Sequence, residues 1–311
     1  MITLIRSFGT SNAVARLQSE PLFAGLQGLE PSRVQRAIPI NGTVRLRRPS
    51  HLVIHYNDDP AVKMARAIKH ASGCKVICLS ADIYGLDRYA NLAEFVDLFT
   101  VPTIAHREIL ESALWVPVAV LPEGVDPIAL PPAGALAQDV AQAGRICWFG
   151  YPESFQKSLI RIVDRAIQES GMSRGEIGLI TDTRNQVCAG GRHLPFSPDS
   201  FYAMTSESTY ALLSHFAYDL HVNTLIKSPN KLITSLVRGM TPIVSMTRNY
   251  LPFIEEFGLQ EHAFRNGSEL AKRLREARTE TGLGDKLVAI RQELLARFSP
   301  VALARRFLEL I

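Results

Sequence analysis

The segment KSPNKLITSLVRGMTPIVS, residues 227–245, most constrains the fold, because it combines a helix start, an amphipathic helix, a stop and a buried strand. Pro229 suits the first position of a helix, and Ser228 before it is the predicted N-cap. Gly239 is the predicted stop of this helix. The largely apolar run from Thr241 to Met246 is typical of a parallel strand that is covered on both faces. Together these features indicate an α/β fold.

The rest of the chain repeats this alternation of short strands and helices. Helices are predicted near Ala61–Ala71 and Arg107–Ala113. Strands are predicted at Ile2–Arg6, His51–Tyr56, Lys75–Leu79, Leu98–Val101, Val118–Leu121, Ile146–Phe149, Ile177–Thr181, Tyr218–Val222 and Thr241–Met246. Strands joined by crossover helices predict parallel sheets with right-handed connections.

The domain organisation follows from length and from one shift in composition. A chain of 311 residues is long enough for two domains of ordinary size. The stretch 127–144 is rich in Pro, Ala and Gly and is the predicted linker. It separates an N-terminal domain, 1–126, from a C-terminal domain, 145–295, and a final helix lies within 296–311.

Two lysines flank the helix start that opens residues 227–245. A helix N-terminus favours anions through its unpaired N–H groups and its dipole, and the ammonium groups of Lys227 and Lys231 would suit a diphosphate. The alternative is purely structural. Any αβ unit needs a helix start and a stop, and lysines are common on surfaces. From spacing alone both interpretations stay open.

The same segment resembles the donor-binding helix of glycosyltransferases with two Rossmann-like domains, the GT-B fold, and particularly the family 4 type. Three other stretches resemble that family in the expected order. Val118–Asp126 is similar to the strand and turn that close the N-terminal domain, and Ile146–Leu159 to the first strand of the C-terminal domain. Leu194–Leu225 is similar to the region beside the nucleobase. The resemblance covers roughly residues 118–311.

The resemblance implies a fold and an activity. It implies two Rossmann-like doubly wound parallel-sheet domains with an interdomain cleft, and a terminal helix, 296–311, that packs back on the first domain. The C-terminal domain would hold a nucleotide-sugar donor, and the N-terminal domain a glycan, lipid-linked or protein acceptor. The reaction would be hexosyl transfer to a hydroxyl in bacterial surface polysaccharide or glycoconjugate synthesis. It would need neither a cofactor nor a metal.

The resemblance and the ends of the predicted strands also indicate donor contacts. The predicted phosphate-binding residues are Gly150, Lys157, Lys227, Ser228, Asn230 and Lys231. The predicted nucleoside or sugar contacts are Asp182, Phe196, Thr234, Asn249 and Tyr250.

One departure from the family pattern leaves alternatives open. The family 4 pattern carries two glutamates eight positions apart, and the matching residues here are Ile226 and Thr234. A degenerate GT-B scaffold that has lost catalysis is therefore an alternative, as is a nucleotide-sugar epimerase or hydrolase on the same fold. A dinucleotide oxidoreductase is disfavoured, because no G-x-G-x-x-G follows any predicted strand.

Candidate catalytic residues lie where ligands bind in α/β folds, just after the strands. His55 or Asp58 could be the general base that takes the acceptor proton in an inverting transfer. Alternatively, Asp58 and Asp59 cap the helix that follows them. Glu123 could face the predicted cleft as a third catalytic residue, or it could be an ordinary turn residue.

Charge and apolar content bound the setting. The net charge of +4 falls short of a nucleic-acid signature, and no apolar run approaches the roughly 20 residues that span a bilayer. The basic clusters Arg45–Arg48 and Arg305–Arg306 could touch anionic lipids or be solvated surface. Four cysteines without a metal or disulfide pattern favour the cytoplasm. The sequence therefore predicts a cytoplasmic protein, and peripheral contact with the inner membrane face stays open.

Overall fold

The computed structural model describes residues 1–7, 9, 13–38, 46–83, 85–130, 145–150, 160–181, 192–213, 222–280 and 282–311. Lys157, Asp182 and most of the predicted linker lie outside these residues. The chain forms two compact units. Unit 1 comprises Met1–Val125, Leu225–Ser228 and Ala296–Ile311, and unit 2 comprises Asp126–Thr224 and Pro229–Leu295.

Unit 1 is built on a parallel six-stranded sheet with the order β2-β1-β3-β4-β5-β6. Its strands are β1 Ile2–Ile5, β2 Val34–Ala37, β3 His51–His55, β4 Lys75–Leu79, β5 Leu98–Val101 and β6 Val118–Val120. Because β1 lies between β2 and β3, the order of the strands reverses there. Crevices at such reversals, beyond the carboxyl ends of the strands, are where doubly wound folds bind ligands.

Unit 2 contains a second parallel six-stranded sheet with the order β12-β11-β10-β7-β8-β9. Its strands are β7 Ile146–Phe149, β8 Ile177–Thr181, β9 Arg192–Pro195, β10 Tyr210–Leu213, β11 Thr241–Ser245 and β12 Ala263–Phe264. Read from β9, this is the Rossmann order 3-2-1-4-5-6, with its reversal between β7 and β10. The predicted α/β class with two doubly wound parallel sheets is confirmed.

Helices connect the strands of both sheets. In the first part of the chain these are α1 Glu20–Leu29, α2 Asp59–Ser72, α3 Leu86–Ala93 and α4 Ile104–Ala113, with a π-helical turn at Ala15–Ser19 before α1. Later helices are α5 Ile160–Ser170, α6 Pro198–Ser206, α7 Val222–Ile226, α8 Asn230–Val237, α9 Leu251–Glu256, α10 Gly267–Ala277, α11 Asp285–Arg297 and α12 Pro300–Leu310. Short 3₁₀ turns lie at Pro31–Arg33, Pro127–Ala129, Arg174–Glu176 and Gln260–His262. No helix of the described residues is long and apolar enough to cross a membrane.

The terminal helix α12 packs against α1 within unit 1. Gly25 of α1 faces the backbone carbonyl of Pro300, and a Cβ at this position would collide with that oxygen. The absence of a side chain therefore allows the two helices to approach closely. Ser299 caps α12, because its hydroxyl accepts a hydrogen bond from the Ala302 N–H at 3.2 Å.

Two sequence expectations about unit 2 are corrected. The strand predicted at Tyr218–Val222 is wrong at its described end, because Val222 begins α7. The strand that pairs with β11 is instead β10, Tyr210–Leu213. Short apolar runs such as YALL do not distinguish a strand from a buried helical segment by periodicity alone, which explains the omission.

Candidate functional site

Lys231 and Gly150 meet at the strand reversal of unit 2. Gly150 directly follows β7 with φ +151°, and Lys231 lies in the first turn of α8. A Cβ at residue 150 would collide with the Lys231 ammonium, so glycine leaves space for that group. The ammonium nitrogen lies 4.9 Å from the ring centroid of Trp148 and 5.9 Å from that of Phe149. Both contacts are within the range of cation–π attraction.

The start of α8 differs from the sequence expectation. Pro229, rather than Ser228, is the N-cap residue, and no side chain caps this helix start among the described contacts. Asn230 at the first helical position accepts a hydrogen bond from the Thr234 hydroxyl at 3.0 Å, and both residues are buried. The predicted stop is confirmed, because Gly239 follows the helix with φ +84°.

The predicted nucleoside and sugar contacts have different exposures. Phe196 follows β9, and its ring is exposed. Asn249 is half-buried in the turn after β11. Tyr250 is completely buried, and this burial raises the pKa of its hydroxyl. Its ring is therefore part of the core of unit 2, which does not favour contact with a sugar.

Lys227 and Ser228 belong to unit 1, where they contact carboxylates. The Lys227 ammonium forms an ion pair with Asp82 Oδ1 at 3.1 Å. The Ser228 hydroxyl donates a short hydrogen bond to Glu123 Oε2, and the Gln18 side-chain amide donates to Glu123 Oε1 at 3.4 Å. We refer to Gln18, Asp82, Glu123, Lys227 and Ser228 as the Glu123 cluster.

The electrostatics of this cluster raise the proton affinity of Glu123. The side chain is buried, and this burial raises the pKa of Glu123 to about 6. The Ser228 hydrogen bond and the charge of Lys227 oppose the increase, and the charge of Asp82 adds to it. A carboxyl group with such a pKa can accept and release a proton near neutral pH.

Gln18 and Asp82 are members of the cluster that were missing from the predicted site residues. Asp82 shortly follows the correctly predicted strand β4, so its position after a strand was a usable signal. Gln18 lies in a π-helical turn that no sequence pattern indicated. Among the described residues, no group of three or more His, Cys, Asp or Glu side chains could hold a metal ion.

The other two catalytic candidates lie near the strand reversal of unit 1. His55 ends β3 and is buried, and burial together with the charge of Arg6 lowers its pKa to about 3. A neutral, buried imidazole of this low basicity does not favour a role as general base.

Asp58 has the geometry of a helix cap. Its carboxylate accepts hydrogen bonds from the Ser7 N–H at 2.7 Å, the Ser7 hydroxyl at 2.5 Å and the Ala61 N–H at 3.2 Å. The last of these caps α2, as the structural alternative predicted. Asp59, in contrast, forms an ion pair with Arg88 at 2.6 Å. A catalytic role for His55 or Asp58 stays a prediction.

Comparisons with known proteins identify the fold. No protein-family model and no curated protein matches this sequence. Among solved structures, HepE of Anabaena in complex with UDP and glucose matches with a TM-score of 0.63 and 13% identity, over 99% of this chain and 98% of that chain. The spinosyn forosaminyltransferase SpnP matches with a TM-score of 0.52 and 10% identity, over 99% and 98% of the two chains.

A third structure, the pneumococcal O-GlcNAc transferase GtfA in complex with UDP and GlcNAc, matches with a TM-score of 0.56 and 12% identity. That match covers 84% of this chain and 56% of the GtfA chain. At such identities the likeness concerns the fold. The chain therefore has the GT-B fold that these glycosyltransferases share.

Proposed function

We propose that this protein is a glycosyltransferase that moves a hexose from a nucleotide-sugar donor to an acceptor hydroxyl. The GT-B fold supports this proposal, because similar structures include HepE with UDP-glucose and GtfA with UDP and GlcNAc. UDP is consequently the first nucleotide to test. One fold can carry several functions, so the experiments must establish glycosyl transfer itself.

The observation that carries the proposal is the position of Lys231 beside Gly150. Both residues lie at the strand reversal of unit 2, where doubly wound sheets bind nucleotides. An ammonium group at a helix start can neutralise the negative charge that develops on a diphosphate leaving group. This is the electrostatic role that a metal has in other enzymes, so we propose a metal-independent transfer.

The donor site would contain Gly150, Asn230 and Lys231, with Phe196 available for stacking on a base. Lys157, outside the described residues, is a further candidate phosphate ligand from the family resemblance. Glu123 of unit 1 is the proposed general base for the acceptor hydroxyl, which corresponds to an inverting transfer. Assays of transfer would identify the sugar, the acceptor and the stereochemistry of the reaction.

The proposed setting is bacterial surface polysaccharide or glycoconjugate synthesis in the cytoplasm, with a glycan, lipid-linked or protein acceptor. The family resemblance supports this setting. The basic pair Arg305 and Arg306 on α12 supports peripheral contact with anionic lipids at the inner membrane face.

Calorimetric titration with UDP and UDP-glucose tests the donor site. Lys231→Ala should weaken UDP binding about 10- to 100-fold, because a hydrogen bond to a charged group contributes about 1.5–3 kcal/mol. Lys272→Ala is the matched control: Lys272 is an exposed lysine of unit 2 that pairs with Glu276 on α10. It should leave the affinity unchanged.

Sugar transfer is then measured as UDP release and as product formation with candidate acceptors. Binding of UDP that depends on Lys231, together with transfer, supports the enzyme. Absence of nucleotide binding to the folded wild-type protein contradicts the proposal and favours the degenerate scaffold.

A further inference from the structure

The short segment Leu225–Ser228 is fixed within unit 1 by three consecutive residues. The carbonyl of Ile226 accepts a hydrogen bond from the Thr103 hydroxyl at 3.0 Å. Lys227 pairs with Asp82, and Ser228 donates to Glu123. Each of these three residues therefore has a defined partner on a loop or helix start that follows β4, β5 or β6. The segment brings a positive charge and a hydroxyl donor to Glu123.

Asp82 is itself well positioned to hold that charge. Its backbone carbonyl accepts a hydrogen bond from the buried Tyr89 hydroxyl at 2.8 Å. Its side chain is mostly buried, with 17% of its surface exposed, whereas the Lys227 side chain retains 45%. The less exposed carboxylate thus anchors the longer and more exposed lysine side chain. The charge of Lys227 also acts on the Glu123 carboxyl, which it favours in its ionised form.

The polar and charged groups described around Glu123 are few. They are the Gln18 amide, the Ser228 hydroxyl, the Lys227 ammonium and the Asp82 carboxylate. The two charged groups act on the proton affinity of Glu123 in opposite directions, because Lys227 favours its ionised form and Asp82 its protonated form. Burial is the larger influence on this carboxyl group.

We propose that Asp82 and Lys227 are positioning residues that adjust the charge state of Glu123, the general base for the acceptor. This inference rests on the proposed function. In the step, the acceptor O–H gives its proton to a Glu123 oxygen while the acceptor oxygen bonds to the anomeric carbon. The bond from that carbon to the donor phosphate oxygen breaks, and the nucleoside diphosphate leaves with the electron pair. Glu123 then releases its proton to solvent.

Two variants should change the titration of Glu123 in opposite directions. Asp82→Asn removes a negative charge and releases Lys227 from its partner, so the pKa of Glu123 should fall. Lys227→Met removes a positive charge, so the pKa should rise. Each shift should be about one unit, the lower end of the effect of a charge within a few ångströms.

The pKa is measured by NMR on the full chain with ¹³C-labelled glutamate side chains, and Glu123→Gln assigns the Glu123 resonance. Lys272→Met is the matched control, since it removes an equal charge from an exposed site in unit 2. The acid limb of the pH profile of kcat/KM is measured on the same variants. We expect the pKa of this acid limb to shift together with the pKa of Glu123 measured by NMR. Both should fall in Asp82→Asn and rise in Lys227→Met.

A purely structural role would lower activity in both variants without moving the limb in opposite directions, and that result overturns the inference. Unchanged titration of Glu123 in both variants also overturns it. Failure of the proposed function is distinguishable: the wild-type protein would then neither bind UDP nor transfer sugar. The assignment of Glu123 as base would fail with it, while the NMR titration would still report whether Asp82 and Lys227 control its charge.

Discussion

At the strand reversal of unit 2, the ammonium of Lys231 lies over the rings of Trp148 and Phe149, whereas in unit 1 the ammonium of Lys227 pairs with Asp82. These lysines are four positions apart in the sequence. A carboxylate already neutralises Lys227, so a phosphate would have to compete with it. The aromatic rings that Lys231 contacts carry no formal charge, so they attract its ammonium group without cancelling its positive charge. The same residue type is therefore suited to different chemistry in the two places.

The two regions also differ in the charges around these lysines. Asp82 pairs with Lys227, and Glu123 accepts a hydrogen bond from the adjacent Ser228, and such carboxylates repel a diphosphate. Gly150 and Lys231 lie at the end of the second sheet where the strands reverse, and the positive charge of Lys231 at a helix start favours an anion. We therefore expect proton transfer to depend on unit 1 and donor affinity to depend on unit 2.

The largest expected effect is the contrast between the two lysines in UDP affinity. Lys227→Ala should leave the dissociation constant for UDP close to that of the wild type, because Lys227 is paired with Asp82. The same substitution at Lys231 should weaken binding about 10- to 100-fold. Calorimetry on both variants measures the difference. Equal losses would show that both ammonium groups contact the donor, as the sequence alone suggested.

The next effect is a pH dependence of stability that originates at Glu123. The folded state raises the pKa of this group to about 6 from 4.5, so the folded protein binds this proton more tightly than the unfolded chain does. The corresponding stability is present below pH 4.5 and is lost as the pH rises through 6. The loss amounts to about 2 kcal/mol.

Urea unfolding of the wild-type protein and Glu123→Gln, from about one unit below pH 4.5 to about one unit above pH 6, measures this effect. The difference in the free energy of unfolding between the two proteins should change by about 2 kcal/mol, with the wild type losing relative stability as the pH rises. A difference that is constant with pH would contradict the raised pKa and would weaken the case for Glu123 as a base.

The smallest expected effect is at Asp58, and it tests whether this residue is a helix cap or a catalytic carboxylate. Asparagine can still cap α2 through its one acceptor oxygen, but it loses the oxygen that accepts from the Ser7 N–H. Asp58→Asn should therefore lose about 1 kcal/mol of stability and should retain its transfer rate. Asp58→Ala should lose about 1–2 kcal/mol, because it removes the acceptor for Ala61. Loss of transfer in folded Asp58→Asn, measured beside urea unfolding, would instead assign Asp58 to the reaction.

Much of the architecture could be predicted because local patterns specify it. The strands Lys75–Leu79, Leu98–Val101, Ile146–Phe149 and Ile177–Thr181 were predicted with their observed ends, and the helix Pro300–Leu310 lies within the predicted range 296–311. Short strands such as Val34–Ala37 were missed. That strand lies at the edge of its sheet, where pairing on one side allows polar residues.

The candidate site was predicted less completely, since contacts there join residues far apart in the chain. Glu123 was selected from its turn, yet its partner Ser228 lies 105 residues away. Ser228 was expected to cap α8, but its hydroxyl donates to that carboxylate instead. The spacing of residues within a segment predicts local hydrogen bonds but does not predict such distant partners.

The sequence by itself determined the alternation of strands and helices, the parallel α/β class and the glycine that ends α8, because these depend on neighbours a few positions away. Only the tertiary structure decided that Lys227 pairs with Asp82 and that Glu123 is buried with a raised pKa. It also placed the Lys231 ammonium where a side chain on Gly150 would otherwise be. These properties depend on burial and charge, which arise when separate strand ends come together.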